Sequence, residues 1–552
     1  MTQVSAPERT RAPDQPRSAG ALLAKLRGSR QVTILVGVLL AAAAGIVEVL
    51  WRLPPYPSDQ LHYFDFAESF PDRPSFDQPE FFTRFLHLFL RHGLIIPIRL
   101  AQEGFGYSQA AYLVVPVLAG IGLAVGIYLV GVLMFNRTVG VAAAVFALGN
   151  SIVFPELTQP LPDLLATTLF CWAVAGSLAL RQRRRLVTAS RRREIATLLL
   201  VGALLGWSYL TREYIVFVWP LIPLLLVRRV PVRRLVWIAL PLAAAAAGET
   251  VLNWFAFGDP LARFHASSAH GSVPPATTDF LGHSRRWYLT RLLWVFGGTP
   301  EGVWLKGALV ATVAGAVFSR RLRILLVWAA LFYVPLVTLG GVLDPEHPML
   351  RILKERYWLP LVPAVMLGAV AGVWLSTRAV GRRVPFLRAR AGLAAGVVTC
   401  AVVAVPVGIA QQARTTDLTD PLNATYAANG GTQLEQFRSW LGSRPDGDVR
   451  AIWADQRSAR LVRVFVNGTV GGAVWDGRLA TWYAPGQAPA TEPASAPAPG
   501  DHVFFYSRRS TICGYCRGNA EALLDSRPAS VPPTWRRAFA TNDGLVEVYE
   551  VR

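Results

Sequence analysis

Eleven apolar stretches follow one another through most of the chain, at about 31–50, 110–134, 139–155, 161–180, 195–211, 214–227, 235–256, 304–319, 324–343, 357–376 and 391–410. A helix needs roughly 20 apolar residues to cross the hydrocarbon of a bilayer. Most of the stretches approach that length; 214–227 falls short. Hydrocarbon offers the backbone no hydrogen-bond partner, so such stretches cross as helices. Charged residues make up 16% of the chain, against roughly 25% in soluble domains. The chain therefore reads as a polytopic α-helical membrane protein of about 11 transmembrane helices.

The loops set an orientation. Arg181, Arg183 to Arg185, Arg191 to Arg193, Arg228, Arg229, Arg233, Arg234, Arg320, Arg321, Arg323, Arg382 and Arg383 all fall in alternate short loops. The loops between them are longer and poorer in Arg. The positive-inside rule puts the Arg-rich set and the N-terminus in the cytoplasm. Eleven spans then leave the C-terminal part outside the cell membrane. The formal net charge of +20 does not mean a nucleic-acid partner. From Gln411 onward 15 Arg meet 14 acids, so the excess lies in the membrane half. The first span has the length of an anchor, not of a cleaved signal.

Three regions are expected. Residues 1–30 are polar, rich in Pro and Arg, and read as a disordered cytoplasmic tail. Residues 31–410 form the transmembrane domain, with long extracytoplasmic loops at about 51–107 and 257–303. Residues 411–552 form a soluble extracytoplasmic α/β domain. In it, 433–441 reads as a helix, 448–454 and 502–507 as strands, and 535–552 as a hairpin turning at Asn542-Asp543-Gly544. The Pro/Ala-rich stretch 484–500 reads as a linker. In the first long loop, Asp59 to Phe70 and Pro79 to Leu90 read as amphipathic helices with aromatic faces, a type that favours the membrane interface. Cys513-Gly514-Tyr515-Cys516 has redox spacing, but too little chain follows it for a thioredoxin-like sheet. The oxidising exterior favours a Cys513–Cys516 structural disulfide. Cys171 and Cys400, inside spans, read as packing residues.

With that topology, polar residues converge on the outer face. Asp59 follows the first span, Asp163 opens the fourth, Arg212 and Glu213 form the turn after the fifth, His92 lies late in the first loop, and Arg356-Tyr357 opens the tenth. Charge near hydrocarbon is expensive and usually functional. Each residue also has an ordinary reading. Asp59 suits a helix cap, Asp163 the positive end of a helix, Arg356 a snorkelling side chain, and Arg212 with Glu213 a pair within one turn. His265, His270 and His283 read as solvated loop residues. Glu48 and Glu249 read as groups hydrogen-bonded between helices. No metal-ligand set stands out, and no cofactor is assigned.

The ordered set resembles the GT-C class of polyprenyl-phosphosugar-dependent glycosyltransferases, in the branch of protein O-mannosyltransferases and aminoarabinose transferases. It comprises Asp59 with Tyr63 and Ala67, His92 to Gly106 with Pro97, Asp163, Gly258-Asp259-Pro260, and Arg356-Tyr357 with Pro360 and Pro363. It runs over roughly residues 30–380. This chain has Asp59-Gln60 where the family often has Asp-Glu, and His92-Gly93 where it has Pro-Pro. Any role of the second acid, metal binding included, is therefore not carried over, although a divalent metal is compatible with the class.

The resemblance implies a sugar donor on a polyprenyl phosphate, with its lipid among the helices. It also implies transfer to a hydroxyl of a protein, lipid or glycan acceptor by a single inverting displacement. Asp59 would be the general base, supported by Asp163. Arg356 would hold the leaving phosphate, with His92 and Arg212 behind it, and Tyr63 and Tyr357 would line the substrate site. Two alternatives differ in kind: a lipid-linked substrate transporter or flippase, and a non-catalytic assembly protein of the cell envelope. A transporter of this type places polar groups near the midplane within repeated halves, whereas here the spans are apolar at mid-depth and unrepeated.

Overall fold

The computed structural model describes residues 19–55, 59–72, 86–185, 191–272, 282–350, 352, 354–414, 426, 430–468, 472–482, 497–506 and 531–552. Among the described residues, eight helical segments are long and apolar enough to cross a membrane: Arg30–Leu50, Gln109–Met134, Pro162–Gln182, Arg191–Thr211, Val232–Phe257, Arg320–Val342, Glu355–Arg383 and Arg388–Ala413. Arg137–Leu148, Glu213–Leu226 and Gly302–Phe318 are apolar but shorter. The protein is a multi-pass membrane protein.

The short stretch expected at 214–227 is not one regular helix. It is a 3-10 turn, Glu213–Val218, followed by a single short helix, Leu221–Leu226. Pro220 and Pro223 explain the break, since each lacks a backbone donor and clashes with the preceding turn. The stretch at 139–155 likewise ends early at Leu148 and continues as a 3-10 turn, Phe154–Thr158. At the other end, helix α1 (Ala19–Leu50) begins inside the expected polar tail. Residues 21–27 supply the reason, being Ala, Leu, Lys and Arg, all good helix formers.

The first long loop contains α2 (Asp59–Ser69) and α3 (His92–Phe105). His92 thus opens a helix. The α2 helix does not present its aromatic face to lipid. Leu61, Tyr63, Phe64 and Phe66 are buried in one core with residues of the C-terminal domain, among them Val462 and Phe465. An aromatic face buries equally well against protein, and here the domain covers it. Phe81, Phe82 and Phe85, Cys513 and Cys516, and most of the 484–500 linker lie outside the described residues.

The bundle is built around α4 (Gln109–Met134), α5 (Arg137–Leu148), α6 (Pro162–Arg185), α7 (Arg191–Thr211), α8 (Val236–Phe257), α9 (Ala262–Ser272), α10 (Arg285–Gly297), α11 (Gly302–Phe318), α12 (Arg320–Val337), α13 (Val362–Arg383) and α14 (Ala391–Arg414). Cys171 is buried in α6, whereas Cys400 faces outward from α14. Small residues permit a close crossing. A Cβ on Gly131 of α4 would lie 2.4 Å from the Cα of Gly140 in α5, the close backbone approach on which helix packing in lipid depends.

The C-terminal part holds α15 (Gly431–Gly442) and α16 (Gln456–Val466) on a five-stranded sheet. Its strands are β1 (Ala451–Asp455), β2 (Arg478–Trp482), β3 (His502–Tyr506), β4 (Arg536–Ala540) and β5 (Val546–Glu550), in the order β2-β1-β3-β5-β4. β1 runs parallel to β2 and β3, while β5 is antiparallel to β3 and β4. The expected helix at 433–441 and the hairpin closing the chain are both present. The crossing gives a direct test. Gly131→Val should cost about 1–3 kcal/mol of stability, read as a lower melting temperature of the detergent-solubilised protein. An unchanged melting temperature would mean that the crossing can separate freely.

Candidate active site

Three helices carry charge at one end of the bundle and Arg clusters at the other. Asp163 lies in the first turn of α6 and Arg185 ends it. At about 1.5 Å per residue along the helix, roughly 33 Å separates them. Helix α7 starts at Arg191 and leads into Arg212; the segment from Arg356 runs through α13 to Arg382 and Arg383. The site and the Arg-rich loops therefore occupy opposite ends of the bundle.

At the site end, Asp59 is the first residue of α2, where an acid favours the positive helix terminus. Its Oδ2 accepts from Arg356 Nη2 at 2.6 Å. Arg356 Nε also faces Asp163 Oδ2 at 3.9 Å. Asp163, only 1% exposed, pairs through Oδ1 with Arg212 Nε at 3.0 Å and accepts a hydrogen bond from the Tyr214 hydroxyl. Two aromatic rings complete the arrangement. The Arg212 guanidinium lies 4.6 Å from the Tyr214 ring centre and 5.0 Å from that of Tyr357; Arg356 is 5.4 Å from Tyr357. Such stacking stabilises cations away from water. Asp59, Asp163, Arg212, Arg356 and Tyr357 thus converge as one chain of alternating charge.

The other expected residues lie beside it. Arg212 does not pair with its neighbour Glu213. Glu213 instead faces Arg91, 3.6 Å from Nη2, and Arg91 donates to the Tyr63 hydroxyl. The 3-10 turn at 213 explains the divergence, because it directs adjacent side chains to different sides. His92 turns away toward α8, where its Nε2 is 3.1 Å from Asn253 Oδ1. Burial draws the His92 imidazole down to about 4, so it is neutral at ordinary pH. Exposed His265 pairs with Asp259 at 2.7 Å, and His283 stacks on Trp287. Among the described residues, no group of three or more His, Cys, Asp or Glu is placed to hold a metal ion.

Sequence reasoning missed Arg91, Tyr214 and Glu156. Glu156, 5% exposed on the turn Phe154–Thr158, lies within the electrostatic reach of Arg356, Asp163 and Arg212. Burial pushes its carboxyl up to about 8, so near neutral pH it mostly carries a proton. A single acid inside Phe154-Pro155-Glu156-Leu157 was the available signal, as was the Arg beside His92.

Beyond the 213–218 turn, a cavity of about 430 Å³ opens between α7 and α8. Gly206, Ala245 and Trp219 line its apolar part, with Glu249, Asn253 and Arg263 at its polar end. Arg263 Nη2 lies 2.6 Å from Glu249 and also donates to the carbonyls of Leu90 and Leu210.

The protein is a multi-pass membrane protein with a charged cluster at one end of the bundle and a smaller α/β domain over it, and its fold is of the GT-C class. Within that class the chain is similar to ArnT from Cupriavidus metallidurans. This holds for the apo form and for the form bound to undecaprenyl phosphate, each at a TM-score of 0.50 and 12% identity over 94% of this chain and 97% of that one. A looser likeness, to the Archaeoglobus fulgidus oligosaccharyltransferase in its apo form, has a TM-score of 0.42 and 14% identity over 80% of this chain. The chain spans 64% of that protein's length, and no argument rests on it. No protein-family model and no curated protein sequence matches the chain.

The Asp59–Arg356 pair makes stability pH-dependent. Burial opposes ionisation of Asp59, but the Arg356 guanidinium outweighs it and holds the carboxyl well below the usual range. A group depressed in the folded state contributes stability that is complete above its ordinary value of about 3.9 and is lost as pH falls toward the native value. Melting temperature followed from neutral to acid pH should therefore fall below about pH 4 more steeply in the wild type than in Asp59→Asn. Parallel curves would remove the pair as a source of stability.

Proposed function

We propose that the protein is a glycosyltransferase that moves a sugar from a polyprenyl-phosphate donor to an acceptor hydroxyl, with Asp59 as general base. The observation that carries this reading is the chain Asp59–Arg356–Asp163–Arg212 at one end of a bundle with the ArnT fold. A carboxylate to take a proton lies directly beside cations able to hold a phosphate. The undecaprenyl phosphate bound to ArnT supports the choice of donor class.

The acceptor oxygen attacks the anomeric carbon as its proton passes to the Asp59 carboxylate. The bond from that carbon to the phosphate oxygen breaks on the opposite face, so configuration inverts. The donor phosphodiester carries one negative charge and departs as a phosphate monoester with more. Arg356, Arg212 and Arg91 offer fixed positive charge for that increase, and such groups act strongly where water is scarce. Asp163 holds Arg212 and faces Arg356, and so sets where the two guanidiniums lie. The cavity between α7 and α8 suits the start of the lipid chain, with Arg263 at its polar end. His92, neutral, is bonded to Asn253 at the polar end of that cavity. The Arg-rich loops at the far end of the bundle argue that the site is extracytoplasmic. The N-terminus is then cytoplasmic and the C-terminal domain lies outside, where the acceptor is met.

Two measurements test this. Purified protein in lipid, supplied with a panel of undecaprenyl-phosphate-linked hexoses and pentoses, should release undecaprenyl phosphate. Asp59→Asn should lower that turnover by about 10²–10⁴-fold, and turnover that survives the substitution removes Asp59 as base. Alkaline phosphatase fused after Arg552 should be active and green fluorescent protein fused there dark; the reverse pattern would put the site in the cytoplasm.

A further inference from the structure

The helix that carries Asp59 is too short to hold its own shape. α2 has 11 residues, and isolated helices under about 12–15 residues are marginal even in favourable sequences. The position of Asp59 is therefore set by whatever grips α2. One side is held within the membrane part: Arg99 Nη1 donates to the Glu68 carbonyl at 2.7 Å and Gln102 Nε2 to the Phe64 carbonyl at 2.8 Å.

The other side is held by the C-terminal domain. His62, Asp65 and Glu68 follow one another at three-residue spacing, so consecutive members are neighbours on the helix surface. Arg460 and Arg463 on α16 have the same spacing and meet them. Arg460 Nε lies 3.0 Å from Asp65 Oδ2 and its Nη1 is 2.7 Å from His62 Nδ1. Arg463 grips Glu68 with both nitrogens, at 2.6 and 2.5 Å, and stacks 4.1 Å from the Tyr107 ring centre. Tyr107 in turn donates to Asp65. A two-pronged guanidinium contact fixes direction as well as distance. The domain also attaches before α2, where Tyr426 lies under the Arg52 guanidinium at 4.8 Å, and after α3, where Glu435 accepts from Gln109 at 2.9 Å. Asp59 is thus flanked in sequence by two anchoring points on the same domain.

We infer that Arg460 and Arg463 are positioning residues, through which the C-terminal domain sets the place of the base. The inference rests on the reading of Asp59 given above. A docking surface alone would hold the domain on the bundle, with no demand on α2. A clamp makes the reaction rate depend on α16.

Charge exchange across the outer pair tests it in the full-length protein in lipid. Glu68 and Arg463 are each more than a third exposed, so reversal there is compatible with folding, and Glu68→Gln supplies a milder variant expected to be intermediate. Glu68→Arg and Arg463→Glu should each lower kcat by about tenfold or more, the scale of a small misplacement at a reacting centre. KM for the undecaprenyl-phosphate sugar should stay close to that of the wild type. The double variant should recover most of the rate. Hydrogen exchange over residues 59–69, measured without substrate, should speed up in both single variants and return in the double. Wild-type kcat in the single variants, or a double variant as slow as they are, overturns the clamp. Asp59→Asn separates the two claims. Turnover retained in that variant overturns the base and not the clamp; unchanged exchange in α2 overturns the clamp and not the base.

Discussion

Arg356 between Asp59 and Asp163 is the contact on which the site end of this molecule depends. Guanidinium and carboxylate groups are costly to bury singly, and removing one partner leaves the other bare in a poor solvent. The contact therefore does more than attract. It obliges α2, the start of α6 and the turn at 355–361 to share one small region, although they are far apart in sequence. Arg212 extends the obligation to the end of α7, and the Tyr214 and Tyr357 rings cover guanidinium faces that water would otherwise solvate.

Helix ends make such a cluster possible. A helix that spans hydrocarbon exposes little chemistry along its length, because each polar group there needs a partner. Its ends are different, since chain direction changes and backbone groups are already unpaired. Asp59 and Asp163 lie in the first turns of helices, and Arg212 and Arg356 lie at the edges of 3-10 turns. The bundle supplies rigid starting points, and irregular turns aim the side chains. The break at Pro220 contributes, because a continuous span from 213 would have kept Glu213 and Tyr214 on a regular helical surface.

Much of this was legible in the sequence. Span positions depend on local apolar length, which a one-dimensional reading captures, and charges at span ends stand out against it. Asp59, Asp163, Arg212 and Arg356 were found that way. Arg91 and Glu156 were not, because each sits within aromatic or apolar residues and its partners come from other parts of the chain. The burial of α2 escaped for a related reason: an aromatic face has the same pattern whether lipid or protein covers it. The pairing of Arg212 with Asp163 in place of Glu213 depended on a 3-10 turn that adjacency alone does not reveal.

The same ion pair that stabilises the free protein also restrains its proposed base. While Arg356 holds Asp59, the carboxylate is a weak proton acceptor. Charge balance indicates how the restraint is lifted. Among the described residues, Arg91, Arg212 and Arg356 are each faced by a carboxylate, Glu213, Asp163 and Asp59 respectively, and Glu156 is mostly neutral. Under the proposed function, an incoming donor phosphate draws a guanidinium from its carboxylate. On that proposal Arg356 is the one whose release matters, because its partner Asp59 is the proposed base and is far more exposed than the buried Asp163. Drawing Arg356 toward phosphate leaves Asp59 in a partly buried position with less positive charge beside it, and its basicity rises when an acceptor hydroxyl must be deprotonated. Under the proposed function one arginine serves in turn as lock and as phosphate ligand, and the order of events follows from electrostatics.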